Sequence, residues 1–483
     1  MLIARLIFER FVLILSDILV LCFSLYLFLD VRDLASLAGT PPVLALWMHQ
    51  DTASHFIAYL TSAVLVIYWL WTRGHYSSRI PFWDELGQLL SIIGTGFFTE
   101  IGLMVLLSQQ PVDWPQVLGA WMGVLILIPI ARYASKNLLL QFGFWSRDAI
   151  IVGVGANGKA ALLALRAEPL MGYRVKWFSK IPEESSELQE DMIEIGGIRF
   201  PLIDLSKGPE DVIRRLGKPQ IVIALDRVTG NERIVNRFGA LNTNILVFPS
   251  LRGLPFQGVE VSHFFGQELL MLQVKNNLLR RGSRLVKRIF DTLVAALLLI
   301  FLSPIFLVLS AWIRRDGGPA IYGHARIGAG GREFKCLKFR SMVADADKIL
   351  SELLANDVDV RAEWERDHKL KNDPRVTQLG TFLRRSSFDE LPQLVNVLRG
   401  DMSLVGPRPV VNAELDKYAD KVAYYLQVRP GITGLWQVSG RNDVDYSTRI
   451  SLDVWYVKNW SLWTDIVILL KTIKVVAFRI GAY

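Results

Sequence analysis

The chain has 483 residues, a net charge of +8, 51% hydrophobic residues and a mean hydropathy of +0.31. That is a length for two or three domains and a composition for a mixed membrane protein rather than a soluble one. The basic balance suits anionic lipid and cytoplasm, and no RNA-reading or zinc-finger pattern supports nucleic acid as a partner. Two cysteines, Cys22 and Cys336, exclude a disulfide framework and a thiolate metal site, and both read as buried apolar fillers.

Apolar segments at about 11–29, 56–72, 86–108 and 117–134 each approach the ~20 residues of a spanning helix. The first is too long for a signal core. Arg5 and Arg10 precede the first segment, Arg73 and Arg79 lie in the second loop, and Arg132, Lys136 and Arg147 follow the fourth. The alternation predicts a four-helix transmembrane bundle over 1–143, with the N-terminus and everything beyond about 145 cytoplasmic. The expected product is a multi-pass membrane protein.

Residues 144–265 switch to an α/β pattern. DAIIVGVG at 148–155 reads as a strand entering a glycine turn, and NGKAALLALRAE as the helix after it. YRVKWFS, QIVIALD and NILVFPS are further short strands, which predicts a parallel, Rossmann-like sheet. Gly153, Gly155 and Gly158 form G-x-G-x-x-G. The acid that a dinucleotide site needs ~20 residues on is missing, because the second strand ends Phe178-Ser179-Lys180, so the glycines read first as packing.

A linker over 266–284, rich in Arg and Asn, leads to KRIFDTLVAALLLIFLSPIFLVLSAWIRR at 287–315. Its apolar part, 289–313, makes a helix of roughly 37 Å, enough to cross. Lys287 and Arg288 at one end and Arg314 and Arg315 at the other oppose crossing. Pro304 removes a backbone hydrogen bond, which predicts a kink or break, and Ser303 can cap the freed groups. The segment is therefore expected to be a re-entrant hairpin hinged at Ser303 and Pro304, with a fifth spanning helix as the alternative.

Residues 285–483 carry the chemistry. In RRSSFDELPQLVNVLRGDMSLVGPRP (384–409), Ser387-x-x-Glu390 has capping-box spacing, and otherwise Pro392 is the first helical residue. Either register sets Asp389 and Glu390 at the positive end of a helix near Arg384, which predicts an ionised Asp389. Arg408, fixed between Pro407 and Pro409, offers a stiff fork of donors for phosphate. Lys338 and Arg340 in LKFRSM, Lys371 and Arg375 in KNDPR, and Arg441 in PGITGLWQVSGR add cations. Trp436 is either a base-stacking plane or a core residue. Cations and paired acids beside a membrane dip are what phosphoryl transfer to a lipid needs, with the acids as nucleophile or Mg²⁺ ligands. The tail, with Trp463, Ile466, Val467, Leu470 and Ile473 at helical spacing, reads as an interfacial helix or a core helix.

KRIFD…SP, KFRSM, DELPQLVNVLRGDMSLVGPRP and PGITGLWQVSGR, in that order over 287–483, resemble the bacterial sugar transferase family, the monotopic phosphoglycosyl transferases. The helices and Rossmann-like domain before them are similar to the large subgroup of that family. Phe388 stands where the motif more often has Leu. The resemblance implies an α+β catalytic domain that transfers hexose-1-phosphate, galactose-1-phosphate first among candidates, from a UDP-hexose to undecaprenyl phosphate. UMP is released, and the reaction opens O-antigen, capsule or exopolysaccharide assembly. It implies Asp389 as nucleophile, Glu390 as Mg²⁺ ligand and Arg408 as phosphate holder. The Rossmann-like domain is assigned no role beyond regulation or a homodimer contact. Two other classes are weighed. An NAD-dependent UDP-sugar dehydratase needs Tyr-x-x-x-Lys, which the chain lacks, and a non-enzymatic export scaffold leaves the acid pair unexplained.

Overall fold

The computed structural model describes residues 2–28, 50–107, 114–180, 191–204, 213–226, 245–249, 259–263, 270–274, 278, 281–343, 345–356, 361, 370, 373–440 and 445–477. The chain divides into two compact units, Met1–Arg252 and Gly253–Tyr483.

Four helices open the first unit: α1 (Leu2–Phe28), α2 (Gln50–Thr72), α3 (Phe82–Leu107) and α4 (Trp114–Gln141). α1 packs along α4, and α2 along α3. Their shared core is Leu13, Leu70, Ile93, Val124 and Ile128, while Phe11, Leu19, Tyr68, Phe98 and Ile130 face outward. Apolar side chains on both faces are the mark of a helix whose solvent is lipid. α2 from His55, α3 and α4 are each long and apolar enough to cross a bilayer, and α1 has 27 residues, about 40 Å of helix. Cys22 is exposed on the outer face of α1 and only Cys336 is buried, which corrects the expectation of two buried fillers.

Arg132 and Lys136 lie inside α4 rather than after it. Arg132 pairs with Asp17 of α1 and Glu85 of α3, and Lys136 pairs with Glu85. All four side chains are buried, and the pairing is what lets the helix run past its apolar stretch.

Beyond the bundle, β1 (Arg147–Val152), β2 (Tyr173–Lys180), β3 (Met192–Ile195), β4 (Ile198–Asp204), β5 (Gln220–Ile223) and β6 (Ile245–Val247) form one sheet in the order β3-β4-β2-β1-β5-β6. All neighbours are parallel except β3 and β4. Along β1, Ala149 and Ile151 join a core with Leu162 and Leu165 of α5 (Ala156–Ala167), while Ile150 and Val152 join a second core with Ile213 and Ile221. Burial on both faces explains the continuous apolar run DAIIV.

In the second unit, β7 (Val259–His263) and β8 (Leu270–Val274) pair antiparallel across residues that read in sequence as the end of the sheet domain and a linker. α6 follows as one helix from Arg281 to Ile313, 33 residues or about 50 Å. The helix runs through Pro304, so of the expected kink or break the break is not formed. Ser303 Oγ donates to Ile300 O at 2.8 Å, so the carbonyl that proline deprives of an amide keeps a partner. The middle of α6 is bare: Ile300, Phe301, Leu307 and Val308 are exposed. Both ends are held by the same domain. Lys287 Nζ meets Asp465 Oδ2 at 2.6 Å, Arg288 donates to Val397 O and Leu398 O, and Arg340 Nη2 donates to Ile313 O at 3.0 Å.

That domain contains the hairpin β9 (Ile321–Ile327) and β10 (Glu333–Phe339), α7 (Ala346–Asn356), α8 (Gln378–Ser386), α9 (Gln393–Arg399), the parallel pair β11 (Ser403–Val405) and β12 (Gly431–Thr433), α10 (Tyr446–Lys458) and α11 (Leu462–Ala477). α11 buries Asp465 and Ile468 and leaves Leu470, Ile473 and Val476 exposed, so it joins the core by one face and shows an apolar stripe on another.

Candidate active site

Asp389 and Glu390 sit in a single 3₁₀ turn, Phe388–Glu390, between α8 and α9. Ser387 precedes it in the left-handed region (φ 58°, ψ 18°) and makes no side-chain cap, so the capping-box register is not formed. Instead Pro392, with helical dihedrals, directly precedes Gln393, the first residue of α9. Phe388 packs with Phe339 and Leu383, an apolar anchor that a leucine would also supply. α9 has seven residues, too short to lend the acids much dipole.

The positive charge comes from β10. Asn396 of α9 accepts from Leu337 N at 3.0 Å and donates to Lys335 O at 2.8 Å, which pins β10 beside the turn. Lys338 on that strand then places Nζ 2.7 Å from Glu390 Oε1 and 3.8 Å from Asp389 Oδ2. Burial raises the Asp389 pKa, aided by Glu390 and opposed by Lys338 and Arg384. What this corrects is the role given to a helix dipole: burial, against the neighbouring cations, sets the direction of the shift. Burial would lower the Lys338 ammonium, but the two carboxylates outweigh it and its pKa is raised.

Arg408 reaches the site from a second scaffold. Gly406 N donates to Thr433 O at 2.9 Å and Gly431 N to Pro407 O at 2.8 Å, locking the 406–409 loop onto the start of the 431–436 segment. A Cβ on Gly406 would lie 2.6 Å from Arg429 O, and one on Gly434 2.4 Å from Gly406 O, so only glycine permits the approach. The exposed Arg408 guanidinium thereby stands 5.8 Å from the Trp436 ring. Trp436 is buried at 7% exposure, which favours the core reading over base stacking.

The remaining expected cations are placed differently. Arg384 Nε donates to Ser341 Oγ at 3.0 Å and its charge acts on Asp389. Arg340 closes the end of α6, and Arg375 turns both arms of its fork to Asp373 at 2.8 and 2.7 Å. Arg375 is a structural clamp in this arrangement, because its fork is taken up by Asp373, whereas Arg340 gives Nη2 to Ile313 O. Arg441 lies outside the described residues, as does Lys371.

Sequence reasoning missed the buried brace behind the site. Asp465 accepts from Lys287, Tyr456 and Trp460, and Asp291 accepts from Ser403 Oγ and Leu404 N. Lys287 and Asp291 are one helical turn apart on α6, a signal that was available. The glycine turn of the first unit is also explained. Asp226, just after β5, accepts from Ala156 N at 2.9 Å and Asn157 N at 2.6 Å, where a dinucleotide's phosphate would sit. The ribose-binding acid remains absent, since β2 ends at Lys180, and Asp226 occupies the phosphate position instead.

The bacterial sugar transferase family matches residues 282–479. The chain is 44% identical over 435 residues to undecaprenyl-phosphate galactose phosphotransferase of Salmonella typhimurium, covering 89% of this chain and 88% of that one. It is 30% identical over 382 residues to UDP-glucose:undecaprenyl-phosphate glucose-1-phosphate transferase of Escherichia coli, covering 75% and 76%. Exopolysaccharide production protein ExoY of Rhizobium meliloti matches at 52% identity over 200 residues, 41% of this chain but 88% of that one. With relatives covered almost end to end and an acid pair and basic loop in the matched region, the chain belongs to the bacterial sugar transferase family.

Proposed function

We propose that this phosphoglycosyl transferase moves galactose-1-phosphate from UDP-galactose to undecaprenyl phosphate and releases UMP, as the first membrane step of a surface polysaccharide. The observation that carries the reading is the adjacent carboxylate pair of Asp389 and Glu390 closed over by Lys338. Galactose is favoured because the 44% identical relative is named for it and the one named for glucose is 30% identical.

Asp389 Oδ attacks the sugar-bearing phosphorus of the donor. A P–O bond to Asp389 forms, the P–O bond to UMP breaks, and UMP leaves with the electron pair. An oxygen of undecaprenyl phosphate then attacks the same phosphorus, and Asp389 departs as carboxylate. Splitting one transfer into two displacements is the use of an aspartate nucleophile. Lys338 and Arg408 steady the phosphate oxygens, and Arg384 supports Asp389.

The donor set at Asp389 and Glu390 fits Mg²⁺: two adjacent carboxylates, all-oxygen, to which substrate phosphate and water would add the remaining ligands. Lys338 Nζ already marks the place a cation takes between them. Bound there, the ion would neutralise phosphate charge.

We read α6 as re-entrant, dipping into the inner membrane from the cytoplasmic side, because both its ends pack on one domain and its middle is exposed and apolar. The parallel sheet of the first unit is read as Rossmann-like. UDP-galactose labelled in the sugar tests the chemistry. The expected result is UMP as product and label on the protein, both lost in Asp389→Asn; UDP as product would mean direct glycosyl transfer and end the proposal.

A further inference from the structure

Behind Arg408 lies a second polar cluster that the acid pair does not use. Arg449 of α10 sets its guanidinium 4.6 Å from the Trp436 ring and 5.1 Å from the Tyr446 ring. Arg408 approaches the same Trp436 ring at 5.8 Å. Arg449 Nε and Nη2, Trp436 Nε1 and Tyr446 Oη are all buried without a hydrogen-bond partner among the described residues. All four can donate. Buried donors without partners cost stability, so their accumulation in one place calls for a ligand. Gln437 Oε1, an acceptor, is also unpartnered among the described residues.

The charges point the same way. Asp453 faces Arg449 and Arg408 but accepts from Tyr418 Oη at 2.9 Å. Glu414 faces Tyr446 and pairs with Arg326 at 3.7 Å. Neither carboxylate closes an ion pair with Arg449 among the described residues, and two guanidinium groups on one indole make a seat for an anion. Arg408 joins this seat to the acid pair, because its charge acts on Lys338 on one side and on Asp453 on the other. A nucleoside diphosphate sugar has two phosphates: one is attacked at Asp389, and the other needs cations next door.

We propose that Arg449, held on Trp436 beside Arg408, seats the phosphate of the leaving nucleotide in the first half-reaction. The inference rests on the two-step reading above. Arg449 has no part in the second half-reaction, when the nucleotide has gone and the phosphosugar stands on Asp389.

Full-length protein in lipid nanodiscs, as wild type, Arg449→Lys and Arg449→Gln, tests this with three readouts: KM for UDP-galactose, inhibition by UMP, and the rate at which pre-formed, washed phosphosugar enzyme passes its label to undecaprenyl phosphate. Losing charged hydrogen bonds predicts that Arg449→Gln raises both KM and the UMP inhibition constant by about tenfold to a hundredfold. Arg449→Lys, which keeps charge and bulk, falls between, and label transfer to the acceptor stays within about twofold, since no lost contact acts on that step. An unchanged UMP inhibition constant in a folded Arg449→Lys or Arg449→Gln protein overturns the inference, as does an equal fall in both half-reactions. Failure of the wild type to take up label would instead sink the covalent reading itself, so the two failures are distinct.

Discussion

Lys338 Nζ lies 2.7 Å from Glu390 Oε1 and 3.8 Å from Asp389 Oδ2, so one ammonium bridges two carboxylates that would otherwise repel. A divalent cation serving the same pair must compete with it. Lys338→Met is therefore expected to have two effects of opposite sense. Turnover should fall by about a hundredfold, the scale for removing a preorganised charge from a phosphoryl-transfer site. The Mg²⁺ concentration giving half-maximal activity should fall as well, because the resident competitor is gone. Metal titrations of UMP release check both, and a rise in the Mg²⁺ requirement would show that Lys338 helps to hold the metal instead.

Asp453 gives a pH dependence outside the reacting groups. Burial, the largest influence, pushes its carboxyl up to about 7 against the opposing bond from Tyr418 and the Arg449 and Arg408 charges. The folded state then binds a proton more tightly than the unfolded chain, so the native form carries more protons between about pH 4 and pH 7. Stability should fall as pH rises through that window and level off above it. Asp453→Asn keeps an acceptor for Tyr418 and removes the titration. Thermal midpoints measured from pH 5 to pH 8 should fall for wild type and stay flat for the variant, relative to each other. A variant that parallels wild type would remove Asp453 from the account.

The Asp226 carboxylate on Ala156 N and Asn157 N makes the first unit's glycine turn a filled anion site. Titration with NAD or NADH should give no binding. Gly155→Ala should destabilise the unit, since its Cβ would lie 1.7 Å from Asp226 Oδ2, a clash that must push the carboxylate off the helix. Dinucleotide binding by the wild type would mean that Asp226 yields its place, and would reopen the redox reading.

Periodic and compositional features were legible in the chain. The apolar stretches became α1 to α4, and DAIIV became a strand buried on both faces. Asp389, Glu390, Lys338, Arg384 and Arg408 could be picked out because acids and bases of that density rarely gather for packing. What could not be read was pairing across distance. Arg375 looked like an open cation, yet its partner is Asp373, two residues away. Lys287 looked like a topology signal, yet it is buried against Asp465, 178 residues on. Burial was equally invisible: Asp389 was read from its neighbours' charges, while desolvation decides the direction of its shift.

The fate of α6 tests how the site meets the membrane. If the helix crossed, Ile313 would have to leave Arg340, and Arg314 and Arg315 would have to pass the bilayer at roughly 2.5–3.5 kcal/mol each at its centre, less near an interface. Releasing the other end would strand Lys287 or Asp465 without its partner, at about 3–5 kcal/mol. Both ends should therefore stay on the cytoplasmic side. In intact cells, thiol reagents that cannot cross membranes should miss Arg284→Cys and Asp316→Cys alike, in a Cys22→Ser background, and label both once the cytoplasm is opened. Ser303→Ala removes the bond to Ile300 O and leaves a carbonyl bare in lipid, where an unsatisfied group costs several kcal/mol. That variant should fray at Pro304 and lose activity while 284 and 316 remain protected. External labelling at 316 but not at 284 in the unmodified helix would place Asp389 outside, away from cytoplasmic UDP-galactose, and the re-entrant reading would have to be abandoned.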